Sequence, residues 1–151
     1  MSKEAKYQRY AEKIRIFKGL KPEEVSYILH CGKVLYFHEG QTIFHEGMLG
    51  SNLFIVLSGE IGIHHRNELI AKCKVGDAFG EMAVLNHEPR TATACALTQA
   101  KCFTLDEKEM AGILQNHVAV KLLMNIIHVL SERLEASNAY ISTFKKSGSP
   151  Q

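Results

Sequence analysis

The chain has 151 residues, of which 46% are hydrophobic and 23% are charged, with 18 Lys and Arg against 16 Asp and Glu. This length fits one domain that buries a single substantial core. The formal charge of +2 excludes a polybasic nucleic-acid-binding chain and a strongly acidic tail protein, so a charged ligand must be met by a local group of residues.

Two short helices are predicted in the first part of the chain. Residues 4–17 read as a polar helix that carries a few apolar positions and is broken by Gly19. The second helix opens at Pro22, with two acids near its positive end, and it ends at Gly32. We assign residues 1–32 to an N-terminal helical segment.

The sequence pattern changes to short β-rich runs across residues 33–105, which we assign to a β-roll. Turn residues separate the runs, and Ser58-Gly59-Glu60 and Arg66-Asn67-Glu68 are predicted to be tight hairpin connections. Many short strands at this regular spacing predict a sandwich or a barrel. The seven predicted runs are residues 34–37, 42–44, 53–57, 61–65, 69–73, 91–97 and 102–105.

Helical signals return at Asp106, an N-cap acid followed three residues later by Glu109. A longer helix is predicted from Val118 to about Tyr140, because apolar residues recur there every three or four positions. This stripe, which runs from Leu123 to Leu134, fits a lid, a dimer seam or plain core packing, so a homodimer is compatible with the sequence. We assign residues 106–144 to C-terminal lid helices and residues 145–151 to a disordered tail.

The segment 79–93 carries the candidate chemistry. Gly80 permits close backbone approach, and residues 81–85 can form one or two helical turns whose first N–H groups favour an anion. The guanidinium of Arg90 can meet a phosphate with two parallel hydrogen bonds. Together with the Glu81 carboxylate, this set fits an anion with a nearby hydroxyl, as in a ribose phosphate. The alternative reading of Glu81 and Arg90 is a surface ion pair.

Two parts of this segment, Phe79-Gly80-Glu81 and Pro89-Arg90-Thr91-Ala92, resemble the phosphate-binding cassette of cyclic nucleotide-binding domains. That family includes protein kinase A regulatory subunits, catabolite-activator regulators and nucleotide-gated channels. Phe37–Ile43 resembles the family's first strands and Leu53–Ile61 its central hairpin, so the resemblance runs from about Phe17 to Leu134. It implies a mainly β fold, an eight-stranded jelly roll flanked by helices, with the long C-terminal helix as a lid.

The resemblance also implies roles by position. Glu81 would accept a hydrogen bond from the ribose 2′-hydroxyl, and Arg90 would bind the cyclic phosphate. Backbone donors would come from Gly80, Met82 and Ala83, with a further contact from Thr91, and Phe79 and Ala92 are weaker candidates. Apart from the resemblance, Arg133 on the predicted lid helix could reach a purine as a cation or a hydrogen-bond donor. The ligand would be cAMP or cGMP, since Thr91 permits cGMP without demanding it. The alternative for Arg133 is a solvated side chain paired with Glu132 or Glu135.

No catalytic constellation and no set of metal ligands emerges from the sequence, so we expect a non-enzymatic module without a metal. The four cysteines form no CxxC pair and no zinc spacing, and neither a signal segment nor a run of membrane-spanning length is present, which favours the cytoplasm.

The first hypothesis is a cyclic nucleotide sensor that moves its C-terminal helix and acts through an unidentified effector protein, with no nucleic acid and no membrane as partner. The second is a truncated or DNA-reader-less relative of a catabolite-activator regulator. The third is a regulatory module from a channel or kinase.

Overall fold

The computed structural model describes residues 2–81, 86–115 and 117–148, with backbone alone for residues 144–148. Its N-terminal part contains α1 (Lys3–Lys13), a 3₁₀ turn (Arg15–Phe17) and α2 (Pro22–Cys31). The predicted helix over residues 4–17 is therefore interrupted. Ile14 takes an extended conformation between α1 and the 3₁₀ turn and is fully buried, so core packing decides this break.

Two antiparallel four-stranded sheets form the body. The strands of the described residues are β1 (Lys33–Phe37), β2 (Thr42–Phe44), β3 (Leu53–Ser58), β4 (Ile61–His65), β5 (Glu68–Cys73), β6 (Ala78–Phe79), β7 (Thr93–Ala96) and β8 (Ala100–Leu105). The first sheet has the strand order β1-β8-β3-β6 and the second has the order β2-β7-β4-β5. This arrangement confirms the mainly β fold with flanking helices.

The two predicted hairpins have different outcomes. Arg66 and Asn67 form the predicted tight turn, both with positive φ, and they join the paired strands β4 and β5. The hairpin predicted at Ser58-Gly59-Glu60 is wrong, because β3 and β4 belong to different sheets. Gly59 is required at this crossing, since a Cβ there would lie 2.4 Å from the carbonyl oxygen of Gln99.

The first sheet has helices on one face and the second sheet on the other. Ile55 and Leu57 of β3 join the helical core, whereas Phe54 and Val56 point into the roll between the sheets. This alternation follows from the two-residue period of a strand. It also explains why β3 reads as a continuous apolar run, since both of its faces are buried.

Two helices follow the roll. α3 (Glu107–Leu114) begins with the predicted cap, in which Asp106 Oδ1 accepts from Glu109 N at 2.7 Å. α4 (Val118–Gly148) is longer than predicted and stays helical past residue 144. The side chain of Asn125 holds α4 to the N-terminal segment by donating to the carbonyl oxygens of Ile16 and Lys18, each at 2.8 Å.

Among the described residues, no helix combines the length and apolarity that crossing a bilayer requires.

Gly32 offers a test of the packing between α2 and β8. A Cβ at this position would lie 2.4 Å from the carbonyl oxygen of Thr104. We expect Gly32→Ala to lower the free energy of unfolding by about 2 kcal/mol, because the strand must shift to accept the methyl group. The measurement is chemical denaturation.

Gly112→Ala is the matched control. Gly112 lies inside α3, and nothing lies within 4 Å of the position that a Cβ would take there. This substitution should instead raise the stability by about 0.5–1 kcal/mol, because alanine favours a helix interior more than glycine does. Equal effects of the two substitutions would contradict the packing argument.

Candidate functional site

A cavity of about 440 Å³ opens in the β-roll beside the segment singled out in the sequence. Its volume is in the range of small-molecule sites. Gly80, Glu81, Arg90 and Thr91 all line it, so the structure brings these predicted residues together. The remaining lining residues are Arg15, Phe44, Ile63, Ala71, Lys72, Cys73, Asp77, Ala78, Phe79, Pro89, Ala92 and Arg133.

Arg90 is fixed at the cavity by backbone and side-chain contacts. Its carbonyl oxygen accepts from Gly47 N at 2.7 Å, and its N–H donates to the carbonyl oxygen of Met48 at 2.9 Å. The guanidinium donates to the carbonyl oxygens of Gly80 at 2.9 Å and Asn52 at 3.0 Å. The loop between β2 and β3 therefore determines where the charge lies.

The charge of Arg90 is almost removed from water. The residue is 7% exposed, and its Cζ lies 4.1 Å from the centroid of the Phe44 ring. This burial lowers the pKa of the guanidinium from its ordinary value. Within the described part of the chain, no carboxylate oxygen lies within 4.0 Å of the guanidinium nitrogens. The charge is stabilised by the dipoles of two carbonyl groups and by the face of the Phe44 ring, and an anion in the cavity would add the missing negative charge.

Glu81 pairs with the C-terminal helix rather than with Arg90. Its Oε1 lies 3.7 Å from Nη1 of Arg133, whose Nη2 donates to the carbonyl oxygen of Ala78 at 2.8 Å. The alternative of a Glu81–Arg90 surface pair is therefore not what the structure has. Arg133 is also not paired with Glu132 or Glu135 as a solvated side chain, since its contacts lie at the cavity.

Gly80 allows the close approach that its place in the sequence suggested. Its φ is +79°, and a Cβ there would lie 2.6 Å from Nη1 of Arg90. Phe79 precedes it on β6 and stacks on Phe54, with centroids 5.1 Å apart and planes at 11°. Phe79 is thus both a buried wall of the cavity and part of the core between the sheets.

The other predicted contacts have separate outcomes. Thr91 and Ala92 line the cavity beside Arg90. The carbonyl oxygen of Thr91 also lies 3.3 Å from Nδ1 of His65. Met82 and Ala83 lie outside the described residues.

The sequence reasoning missed several residues that line the cavity or hold Arg90. Phe44 and Asn52 hold the guanidinium of Arg90, although neither belongs to the segment 79–93. Arg15 lines the cavity from the 3₁₀ turn and pairs with Asp77 at 3.3 Å and with Glu132 of α4. The sequence contains only the glycines around Met48 and Leu49 as a signal for the loop, and it contains no local signal for Arg15.

Cys73 is a wall of the cavity rather than a reactive group. Burial raises the pKa of its thiol to about 11, and the nearby carboxylates of Asp77 and Glu81 act in the same direction while Arg133 opposes them. The thiol is therefore protonated at neutral pH, and a protonated thiol is a poor nucleophile.

Comparison with known proteins shows the family of this chain. Residues 34–117 match the sequence model of the family described as "Cyclic nucleotide-binding domain". The chain belongs to this family. The match covers more than half of the chain and contains the cavity residues from Phe44 to Ala92.

Two similar relatives are named as a protein kinase subunit and a protein kinase. The cAMP-dependent protein kinase regulatory subunit of Hypocrea atroviridis is 33% identical over 108 residues, which make up 72% of this chain and 23% of that protein. The cGMP-dependent protein kinase egl-4 of Caenorhabditis elegans is 31% identical over 104 residues, or 69% of this chain and 13% of that protein. The chain therefore spans less than a quarter of the length of either relative.

A similar solved structure comes from a different kind of protein. The crystal structure of the Thermus thermophilus Catabolite Activator Protein superposes with a TM-score of 0.74 at 26% identity, covering 87% of this chain and 63% of that one. The fold of this chain is thus shared with a protein that is not named as a kinase or a kinase subunit.

Substitution of Gly80 tests the close packing of the guanidinium. We expect Gly80→Ala to lower the free energy of unfolding by about 3 kcal/mol, because a positive φ disfavours alanine and the new methyl group also displaces Arg90. Chemical denaturation measures this.

Gly40→Ala is the control, since Gly40 has a φ of +84° but nothing within 4 Å of its Cβ position. It should cost about 1 kcal/mol, the backbone contribution alone. If both substitutions cost the same, the guanidinium is not held where we describe it.

Proposed function

We propose that this chain is a non-enzymatic sensor of a cyclic nucleotide, cAMP or cGMP, and that the cyclic phosphate binds Arg90. The observation that carries the proposal is the buried guanidinium that faces a cavity and meets carbonyl oxygens instead of a carboxylate. A phosphate would supply the missing negative charge and would take up further N–H groups of the fork. The names of the relatives cover both nucleotides, and they favour neither one for this chain.

The other residues proposed to contact the nucleotide lie around Arg90. Glu81 lines the same cavity and would accept from the ribose 2′-hydroxyl. Gly80 and Thr91 border the guanidinium, and Phe79 and Ala92 would form the apolar wall. We keep Met82 and Ala83 as proposed backbone donors on the strength of the family resemblance.

We further propose that ligand binding changes the position of α4 and that this change is the signal to a partner. Arg133 on α4 is paired with Glu81, so a ribose that takes up this carboxylate competes with the contact between the helix and the cavity. A ligand shifts a conformational equilibrium only by its different affinity for the two states, and this competition provides such a difference. The partner would be an effector protein in the cytoplasm that contacts the helix in one of the two states.

The alternative is that this chain is a relative of a catabolite-activator type transcription regulator. The likeness to the Thermus thermophilus protein favours it. Sequence-independent DNA binding by this chain that weakens steeply with salt would support the alternative. Nucleotide binding without DNA binding would support the sensor hypothesis and not the alternative.

Calorimetry with cAMP and with cGMP tests the phosphate site. We expect Arg90→Ala to weaken binding by at least about 100-fold, because two charge-assisted hydrogen bonds are lost. Arg90→Lys should recover only part of the affinity, since an ammonium cannot form the planar fork. Arg9→Ala, which removes an exposed charge on α1, is the control and should bind like the wild type.

Two results would overturn this assignment. The first is the absence of heat with both nucleotides at millimolar concentration. The second is unchanged affinity in a folded Arg90→Ala protein.

The 2′-deoxy nucleotide tests the competition between ribose and Arg133. Glu81→Ala should weaken the ribonucleotide by about tenfold and leave the 2′-deoxy form unaffected. Arg133→Gln should tighten the ribonucleotide by up to about fivefold, the scale of a half-exposed ion pair, again without effect on the 2′-deoxy form. If Arg133→Gln weakens both forms equally, Arg133 contacts the ligand itself and the competition is refuted.

A further inference from the structure

We propose that His65 is a positioning residue for the phosphate site and that its protonated form strengthens nucleotide binding. His65 acts through Glu46 and through the backbone of Thr91, and its ring need not touch the nucleotide. This inference rests on the proposed function, because it concerns the affinity of the same site. One of its tests is made without nucleotide, so that the two can fail separately.

His65 lies at the end of β4, on the face of the strand that points to the cavity. Alternate residues of a strand share a face. Ile61 and Ile63 of β4 pack in the core between the sheets, and Ile63 also lines the cavity. The side chain of His65 continues this row. His64 belongs to the opposite face, where its Cε1 lies 2.9 Å from the position that a Cβ of Gly62 would take.

The imidazole of His65 contacts two different parts of the site through one nitrogen. Its Nδ1 lies 2.6 Å from Oε1 of Glu46 and 3.3 Å from the carbonyl oxygen of Thr91. Both oxygens are acceptors, so Nδ1 must carry the hydrogen that they share. His65 thereby connects the loop between β2 and β3 with the residue that follows Arg90.

Glu46 receives further contacts from the same neighbourhood. Its backbone N–H donates to Oγ1 of Thr93 at 2.9 Å, and its Oε2 accepts from the backbone N–H of Arg66 at 3.4 Å. The turn after β4, the start of β7 and the loop between β2 and β3 therefore all meet at this carboxylate. The contact with His65 is the shortest of them.

Glu46 directly precedes the residues that hold the backbone of Arg90. The N–H of Gly47 donates to the carbonyl oxygen of Arg90 at 2.7 Å, and the N–H of Arg90 donates to the carbonyl oxygen of Met48 at 2.9 Å. A displacement of Glu46 would move both partners of Arg90. Because a forked contact with a phosphate needs correct distances and angles, such a displacement would weaken nucleotide binding.

The charge of the imidazole should determine how firmly His65 holds its partners. Histidine is the side chain that ordinarily changes its charge between about pH 5 and 8. A protonated ring attracts the carboxylate of Glu46 more strongly, and it also attracts an anion bound at Arg90. A bound cyclic phosphate thus favours the protonated ring, and by reciprocity protonation favours the bound phosphate. The affinity should therefore rise as the pH falls.

Other charged residues lie on the elements around the ring. Arg66 follows it in the turn and Arg90 precedes the carbonyl that it contacts, and both would repel a charged ring. Glu68 is its register partner on β5 and would attract it, as Glu46 does. Among the described residues, the carboxylate paired with the ring is that of Glu46. His45, next to Glu46, is a second titratable group of the loop.

Calorimetry with cAMP and with cGMP tests the effect on affinity. At about pH 6, His65→Ala should weaken binding by about tenfold, because Glu46 and Thr91 lose the donor that they share. His65→Asn should retain most of the affinity, since its amide can donate in the place of Nδ1. His64→Asn is the matched control, because the neighbouring histidine lies on the opposite face, and it should bind like the wild type.

The pH profile separates this role from a merely structural one. From about pH 8 to about pH 6, the affinity of the wild type and of His64→Asn should rise about threefold, the scale of a half-exposed ion pair. His65→Asn should show no such rise. Glu46→Gln, which keeps an acceptor but removes the charge, should show a smaller rise than the wild type.

Amide hydrogen exchange without nucleotide tests the positioning itself. His65→Ala should speed exchange at the N–H groups of Gly47 and Arg90 by about tenfold, because local opening of the loop becomes easier. The N–H of Met110 is the internal control. It donates to the carbonyl oxygen of Asp106 in α3, away from the loop, and should exchange at the same rate in both proteins.

Three results would overturn the inference. Unchanged affinity or unchanged exchange at Gly47 and Arg90 in a folded His65→Ala protein removes the positioning role. A pH profile of His65→Asn as steep as that of the wild type assigns the titration to another group, such as His45. Absence of heat from the wild type with both nucleotides overturns the proposed function and the effect on affinity together, and the exchange experiment then shows by itself whether His65 positions Arg90.

Discussion

The site depends on one buried charge, the guanidinium of Arg90. Removing a charge from water is costly unless other groups take over its solvation. Here the carbonyl oxygens of Gly80 and Asn52 and the ring of Phe44 do so. This requirement explains two local features. Gly80 has no Cβ where Nη1 of Arg90 must lie, and a Cβ at Gly50 would come within 3.0 Å of Nη2. The loop between β2 and β3, strand β2 and the segment that begins at Gly80 therefore all contact the side chain of Arg90.

α4 contacts both the cavity and the N-terminal segment of the chain. Its inner side contacts the N-terminal segment through Asn125 and the cavity through Arg133. Its outer side, with Val120, Ile127 and Leu134 exposed, makes neither of those contacts. Under the proposed function, a ligand that takes up the Glu81 carboxylate would act on the helix through the charge of Arg133, and salt should weaken this effect.

Much of the fold was predictable because local patterns agree with it. The strands were found where β-rich runs lie between turn residues, and the cap at Asp106 and the turn at Arg66 and Asn67 formed as expected. Strand β6 was missed because a strand of two residues is too short to show the alternation of apolar and polar side chains. The connection after β3 was misread because a glycine turn looks the same whether the next strand pairs with the previous one or crosses to another sheet.

By itself, the sequence determined the family and the order of the cassette residues, because Phe79-Gly80-Glu81 and Arg90 lie close together in the chain. It did not determine which partner each charge would take. Arg133 is 52 residues beyond Glu81, Phe44 is 46 residues before Arg90, and Arg15 meets Asp77 across 62 residues. Such pairs form only when the sheets close and the helices dock, since tertiary packing, and not the neighbouring residues in the chain, brings the two partners within reach of each other.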